Sequence, residues 1–253
     1  MKTSFALAVA GMALFSQSAF AGWYQVANYE GTIGDRTVSV SLQTYEFGSG
    51  ITVEGSLVSP DGASPLALYG TAEGTSLSLC TLATREDIDT VLIQGSTTPV
   101  DTTDCPFALA RTDDGIEGTY TLDGESSAVS LRQVATLDDT GEDRLTGTVQ
   151  IPFWMQTATH RFLGTYAQTD SGICLQTLQL LNKGTGAVDQ ELDLSADGCN
   201  AGMVMTPIYL NVETFEGDDG GIVSVNYRDN GAGYAGDYSV DPRTGLLSPL
   251  TEQ

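Results

Sequence analysis

The sequence has very few side chains that can shuttle protons or carry positive charge. One histidine, His160, and only two lysines occur among 253 residues. A single histidine cannot build a zinc site of several histidines. It is also the only residue with the ordinary pKa of a general base for nucleophilic catalysis. No Gly-x-Ser-x-Gly motif accompanies it. We therefore predict no catalytic residue and interpret His160 as a loop or strand-edge residue.

Long apolar runs are also absent after the first 21 residues. That leading segment holds Lys2, an apolar stretch from Phe5 to Phe15 and a small-x-small site that ends at Ala21. This order of charged, apolar and cleavage regions predicts a secretory signal peptide over residues 1–21, and the apolar stretch is shorter than the ~20 residues that cross a bilayer. We expect cleavage after Ala21, a periplasmic or secreted protein, and no membrane span.

Basic residues are scarce relative to acidic ones. Without the leading segment the chain keeps 33 Asp and Glu but only nine Lys and Arg, so nine minus 33 gives a formal charge of −24. A surface this negative repels phosphate backbones, which excludes nucleic acid as an expected partner. It favours solubility, and it also favours attraction of a cationic protein.

The sequence is rich in glycine, threonine, serine and aspartate, which are poor helix formers. Apolar residues alternate with polar ones over short stretches such as Val38–Leu42, and Asp123-Gly124 separates two such stretches as a hairpin turn would. The single helical candidate, 84–92, is opposed by the β-rich segment 90–94. The pattern predicts an all-β antiparallel meander and favours a propeller, with a two-sheet sandwich or a barrel as alternatives.

The acidic, turn-rich segment 135–143 is the best candidate for a boundary. We predict an amino-terminal β half over residues 22–134 and a carboxy-terminal β half over residues 144–253. The alternative is one continuous domain in which 135–143 is a loop.

Four cysteines in an exported chain predict two disulfides. Cys80 and Cys105 are separated by 25 positions, and so are Cys174 and Cys199. Local closure favours Cys80–Cys105 and Cys174–Cys199, each contributing about 3 kcal/mol in the chain-entropy model. No Cys-x-x-Cys motif is present, so we expect neither a metal site nor a cofactor.

The segment 228–237 is the most suggestive binding loop. It is rich in glycine and holds Arg228, Asp229 and Tyr234, and a tyrosine on such a loop is a good protein-contact anchor. Its alternative is a hairpin whose tyrosines pack on the sheet. The cluster 152–155 contains Trp154, which we expect in the core or at a strand edge; an exposed Trp154 would form a binding patch.

Several short motifs in the amino-terminal half occur in a characteristic order. They are Tyr29-Glu30-Gly31-Thr32-Ile33-Gly34, Val53-Glu54-Gly55-Ser56-Leu57 and Gly118-Thr119-Tyr120, and 178–186 has a similar style further along. This order resembles bacterial periplasmic β proteins, which include lysozyme inhibitors and immunity proteins. The resemblance implies a β fold and inhibition of a cell-wall hydrolase.

These observations together predict an exported, non-enzymatic binding protein whose partner is a basic protein, such as a lysozyme-type hydrolase. The first alternative is a structural or envelope-associated β protein. The second is a carbohydrate-active enzyme that uses paired carboxylates, although no single acid in the sequence stands out for that role.

Overall fold

The computed structural model describes residues 24–45, 50–60, 64–95, 101–140, 145–169, 172–195, 207–215, 217, 221–226 and 235–250. Antiparallel strands dominate these residues, which confirms the all-β prediction.

The first eight strands form a closed barrel in which each strand pairs with the next along the chain. The last of them returns to pair with the first, and this pairing closes the barrel. The strands are β1 Tyr24–Ile33, β2 Arg36–Tyr45, β3 Val53–Val58, β4 Leu66–Glu73, β5 Ser76–Leu82, β6 Phe107–Arg111, β7 Gly115–Leu122 and β8 Glu125–Asp138.

Alternation along each strand fills the barrel interior. On β2, Val38, Val40 and Leu42 are buried in the interior cluster, and Phe107 and Ile116 reach it from β6 and β7. The opposite faces of β1 to β4 point outward. Part of that outer wall is also buried, because the carboxy-terminal half covers it.

The turn between β7 and β8 confirms the predicted hairpin at Asp123-Gly124. Asp123 has φ 52° and Gly124 has φ 82°. Two consecutive residues in the left-handed region match the twist of the flanking strands, and Asp-Gly is the pair that tolerates it best.

The carboxy-terminal half consists of two four-stranded meanders that share one apolar core. A short 3₁₀ helix, Ile208–Leu210, separates them. The first sheet contains β9 Thr148–Gln156, β10 His160–Thr169, β11 Gly172–Asn182 and β12 Val188–Asp193, and the second contains β13 Val212–Phe215, β14 Ile222–Asn226, β15 Ala235–Val240 and β16 Leu247–Pro249.

The two sheets are joined at their edges as well as through the core. The Gln190 side chain on β12 donates to the backbone oxygen of Leu247 on β16 at 2.9 Å and accepts from its backbone nitrogen at 2.8 Å. One side chain thus occupies the hydrogen-bonding positions that a neighbouring strand would use.

The described strands do not show the propeller that the sequence pattern favoured. The described residues contain a closed barrel, which is one of the alternatives, and two further four-stranded sheets that share a core. The recurrence of short strands is common to all three architectures, whereas the return of β8 to β1 depends on long-range pairing that the local pattern does not encode. The barrel ends at Asp138 and β9 begins at Thr148.

Residues Arg85–Gly95 form a helix, α1, so the sequence-based argument against a helix here is wrong. Thr84 and Asp87 form a capping box. The Asp87 backbone nitrogen donates to Thr84 Oγ1 at 3.1 Å, and the Thr84 backbone nitrogen donates to Asp87 Oδ2 at 3.1 Å. Capping, together with burial of Ile88 in the core, outweighs the β propensity of the following residues. No helix among the described residues is long and apolar enough to cross a membrane.

The Cys80–Cys105 disulfide is present as predicted. It ties β5 to the segment that leads into β6, and so it fixes both ends of the excursion that contains α1. Cys174 is also disulfide-bonded. Its predicted partner, Cys199, lies outside the described residues.

Replacing Thr84 with alanine removes the acceptor at the start of α1. We expect the free energy of unfolding to fall by about 1 kcal/mol, measured by urea denaturation. Thr90→Ala is the matched control, since Thr90 is exposed within the helix and alanine favours helix there. Equal losses in the two variants would contradict a capping role for Thr84.

Candidate functional site

Most of the predicted binding loop, 228–237, lies outside the described residues. Tyr234, Arg228 and Asp229 lie outside the described residues, so their role stays a prediction.

Trp154 is buried, and its proposed role as a surface binding residue required exposure. It is 5% exposed and stacks on Tyr209 with ring centroids 5.4 Å apart and an interplanar angle of 11°. Its indole nitrogen donates to the backbone oxygen of Gly55 at 2.8 Å. Because β9 lies against the outer wall of the barrel, Trp154 joins the two halves of the protein and does not face solvent.

A row of buried polar side chains lies on this outer wall. We call Ser41, Gln43, Glu54 and Ser56 the polar seam; all four are 4% exposed or less. They alternate with interior residues on β2 and β3, so an isolated barrel would expose them. In the protein the 3₁₀ helix and β9 cover them.

Each half of the protein supplies hydrogen-bond partners to the other across the polar seam. Ser41 Oγ lies 2.9 Å from the Tyr209 hydroxyl, and Ser56 Oγ donates to the backbone oxygen of Pro152 at 2.7 Å. The backbone nitrogen of Ile208 donates to Gln43 Oε1 at 2.8 Å. These bonds offset the desolvation of polar groups that would otherwise be costly to bury.

Glu54 is the only buried acidic residue in the described part of the chain. The Tyr45 hydroxyl donates to Glu54 Oε2 at 2.6 Å. Burial raises the pKa of Glu54 to about 7, and the bond from Tyr45 opposes this shift only in part. Burial, and then the adjacent carboxylate, also raise the pKa of Tyr45 well above its ordinary value. The seam therefore holds a carboxyl group that changes charge near neutral pH.

His160 is enclosed between the two sheets of the carboxy-terminal half. Its Nε2 lies 3.0 Å from Asp189 Oδ2, and its Nδ1 lies 2.9 Å from Thr159 Oγ1. Asn182 donates to the same oxygen of Asp189 at 2.8 Å. The bonds from Asn182 and then His160 lower the pKa of Asp189.

This hydroxyl, imidazole and carboxylate occur in the order of a nucleophile–base relay, but their surroundings favour a structural role. The imidazole is 1% exposed. Gly245, at φ 74°, packs directly on it, and a Cβ at that position would come within 2.8 Å of the ring. We interpret His160 as a buried link between β10, β12 and the turn before β16.

A cleft of about 410 Å³ lies between the barrel wall and the first sheet. Asn28 spans its floor: its side chain donates to the backbone oxygen of Gln150 and accepts from the backbone nitrogen, both at 2.7 Å. Glu30 lines the barrel side and Arg161 lines the sheet side. The described lining thus carries one charge of each sign.

An exposed apolar pair lies on the β13–β14 hairpin. Phe215 is 51% exposed and Ile222 is 41% exposed, and they are direct cross-strand partners. We call this pair the hairpin patch. It borders a cleft of about 290 Å³ whose lining includes Gln156, Ala158 and Val240. Two large apolar side chains beside a concave surface have the composition of a protein-contact anchor.

Sequence reasoning missed both Glu54 and the hairpin patch. Alternation places Glu54 on the outward face of β3, where a carboxylate is ordinary, and only the docked half buries it. The sequence around Ile222 has the ordinary pattern of a strand, and it does not show that Ile222 lies exposed beside Phe215. Within the described residues, no group of three or more His, Cys, Asp or Glu could hold a metal ion.

The chain was compared with protein-family models, curated proteins and solved structures, and none of them matches it. The resemblance to periplasmic lysozyme inhibitors thus stays a prediction.

Glu54 should make stability depend on pH in a way that Glu54→Gln removes. The folded protein holds the Glu54 proton up to about pH 7, whereas the ordinary value is 4.5, so its stabilising effect is complete below pH 4.5 and is lost as pH rises through 7. Relative to the native protein, we expect Glu54→Gln to gain roughly 3 kcal/mol between pH 4.5 and pH 8.

Urea denaturation of both proteins across this pH range measures the difference. Glu125→Gln is the control, because Glu125 is exposed. If the Glu54→Gln and native profiles run parallel, the carboxyl group does not titrate within the seam.

Proposed function

We propose that this protein is an exported, non-catalytic binding protein that captures a basic protein, and that its concrete role is inhibition of a lysozyme-type cell-wall hydrolase. The observation that carries the proposal is the one-sided charge of its surface. The disulfides agree with export to the periplasm or beyond, where such bonds persist.

The few described cations do little to offset the acidic surface. Arg85 binds Asp89 at 2.9 Å and Glu213 at 3.2 Å, and Lys183 donates to the backbone oxygen of Thr157 at 2.6 Å. The described carboxylates other than Glu54 are exposed or half-buried. A basic partner is therefore attracted over roughly the Debye length of 8 Å at physiological salt, which raises its association rate.

Charge attracts the partner, but a desolvated contact is needed to hold it. The hairpin patch supplies exposed apolar area in Phe215 and Ile222, and the adjacent cleft gives a concave surface. An apolar centre within an acidic surface suits a partner that presents an apolar side chain surrounded by lysine or arginine.

The direct test is inhibition of purified lysozymes of several classes by the protein after removal of residues 1–21, with peptidoglycan as substrate. We expect inhibition at near-equimolar ratio that weakens as salt increases, because the attraction is screened. Full lysozyme activity in every class at excess protein would refute this inhibitor role.

The contact surface is tested by Ile222→Thr, which keeps a β-branched side chain and removes apolar area. We expect affinity to fall about tenfold, as for a central contact residue. Val188→Thr is the matched control, since Val188 is 49% exposed on β12. Inhibition with equal affinity in the two variants would place the contact elsewhere on the surface.

A further inference from the structure

An arginine lies at each end of the barrel interior, and the two arginines have different surroundings. Residues two apart on a strand share a face, so Arg111 follows the interior residue Leu109 on β6, and Arg36 precedes the interior residue Val38 on β2. The two arginines lie at opposite ends of the barrel. Each is on the interior face of its strand, where the strand reaches the rim.

At one end of the barrel, Arg111 forms a hydrogen bond within the protein. Its Nη2 donates to Thr44 Oγ1 at 2.9 Å, and Thr44 follows Leu42 on the interior face of β2. The guanidinium also lies close enough to Tyr29 to lower the pKa of that hydroxyl, although burial raises it by more. Arg111 thus contributes to closing this end of the barrel with polar contacts.

At the other end, a cavity of about 200 Å³ opens beside Arg36. Its lining includes four apolar or aromatic residues, Leu57, Leu66, Phe107 and Tyr120, beside Ser59 and Ser64. Arg36 is its only charged residue among those described. No hydrogen bond or ion pair joins the Arg36 side chain to another described residue, and the side chain is exposed.

The apolar character continues to the rim. Leu57, Leu66 and Tyr120 are only half-buried, although they pack on the interior cluster. Leu122, two residues beyond Tyr120 on the same face of β7, is 55% exposed. An eight-stranded barrel is just wide enough to hold its own side chains or one small ligand, and this end leaves room for a ligand.

From these observations we propose that the open end of the barrel binds a small amphipathic monoanion, whose apolar body lies against Leu57, Leu66 and Tyr120 and whose carboxylate or sulfonate pairs with Arg36. We call this region the barrel mouth.

The surrounding charges define the ligand further. Asp35, Asp123 and Glu125 are exposed in or next to the turns at this end, and none of them lines the cavity. A polyanion would meet these three carboxylates, whereas a single head group can pair with Arg36 alone. A guanidinium and a carboxylate form charge-assisted hydrogen bonds, which are stronger than neutral ones. The apolar walls contribute by removing the ligand's hydrocarbon surface from water.

The probe for this site is sodium octanoate, with octanol and octylammonium as comparison ligands of altered charge. Titration calorimetry gives affinity, and methyl NMR of the leucines reports position. We expect saturable octanoate binding that shifts the Leu57, Leu66 and Leu122 methyls. We expect octylammonium, which meets the charge of Arg36, to bind at least about tenfold more weakly.

Arg36→Gln should weaken octanoate binding about tenfold or more, since it removes the charge and leaves the apolar walls. Arg243→Gln is the matched control, because the Arg243 side chain is 88% exposed on the turn before β16, and it should bind octanoate as the native protein does. Absence of saturable binding, equal binding of octylammonium, or an equal loss in both variants would overturn the proposal. Lysozyme inhibition should be unchanged in Arg36→Gln, so this test and that of the proposed function can fail separately.

Discussion

The arrangement of the whole chain depends on the hydrogen bonds made by the buried polar side chains on the outer wall of β2 and β3. This wall presents a carboxyl, an amide and two hydroxyls, and it is nevertheless buried. Burial of such groups is costly unless they form hydrogen bonds. Tyr209, Pro152 and Ile208 of the other half bond to Ser41, Ser56 and Gln43. Tyr45 of the barrel donates to Glu54. The amino-terminal barrel and the carboxy-terminal sheets therefore have complementary polar surfaces. Trp154 adds apolar area and one further hydrogen bond to the same interface.

Glu54 gives this interface a dependence on proton concentration. Because burial raises the pKa of Glu54 to about 7, the packing of the two halves against each other depends on the pH around the protein. The other acids are placed differently, because those in the described part of the chain are exposed or half-buried. The same residue type thus occurs in two settings: the other described acids give the surface its negative charge, and Glu54 contributes to cohesion of the seam while it is protonated.

The barrel interior is packed by side chains through most of its length, and its two ends differ in the surroundings of their arginines. Arg111 donates to Thr44 and lies near Tyr29, whereas Arg36 lies beside the cavity at the barrel mouth. The proposed capture of a partner at the outer surface and the proposed ligand site at the barrel mouth are compatible, since they use different residues. His160, by contrast, is accounted for by packing and hydrogen bonding alone.

The sequence by itself determined what depends on short-range patterns: the strand-forming alternation, the Asp123-Gly124 turn, the Cys80–Cys105 pairing and the excess of acid. It also contained the capping box at Thr84, which a closer comparison of capping with β propensity would have recognised. Tertiary structure alone decided that β8 pairs with β1, that Trp154 and Glu54 are buried, and that Phe215 and Ile222 stand side by side at the surface. Alternation says which residues share a face of a strand, but whether that face meets water or another sheet is decided by residues that here lie 96 to 168 positions away.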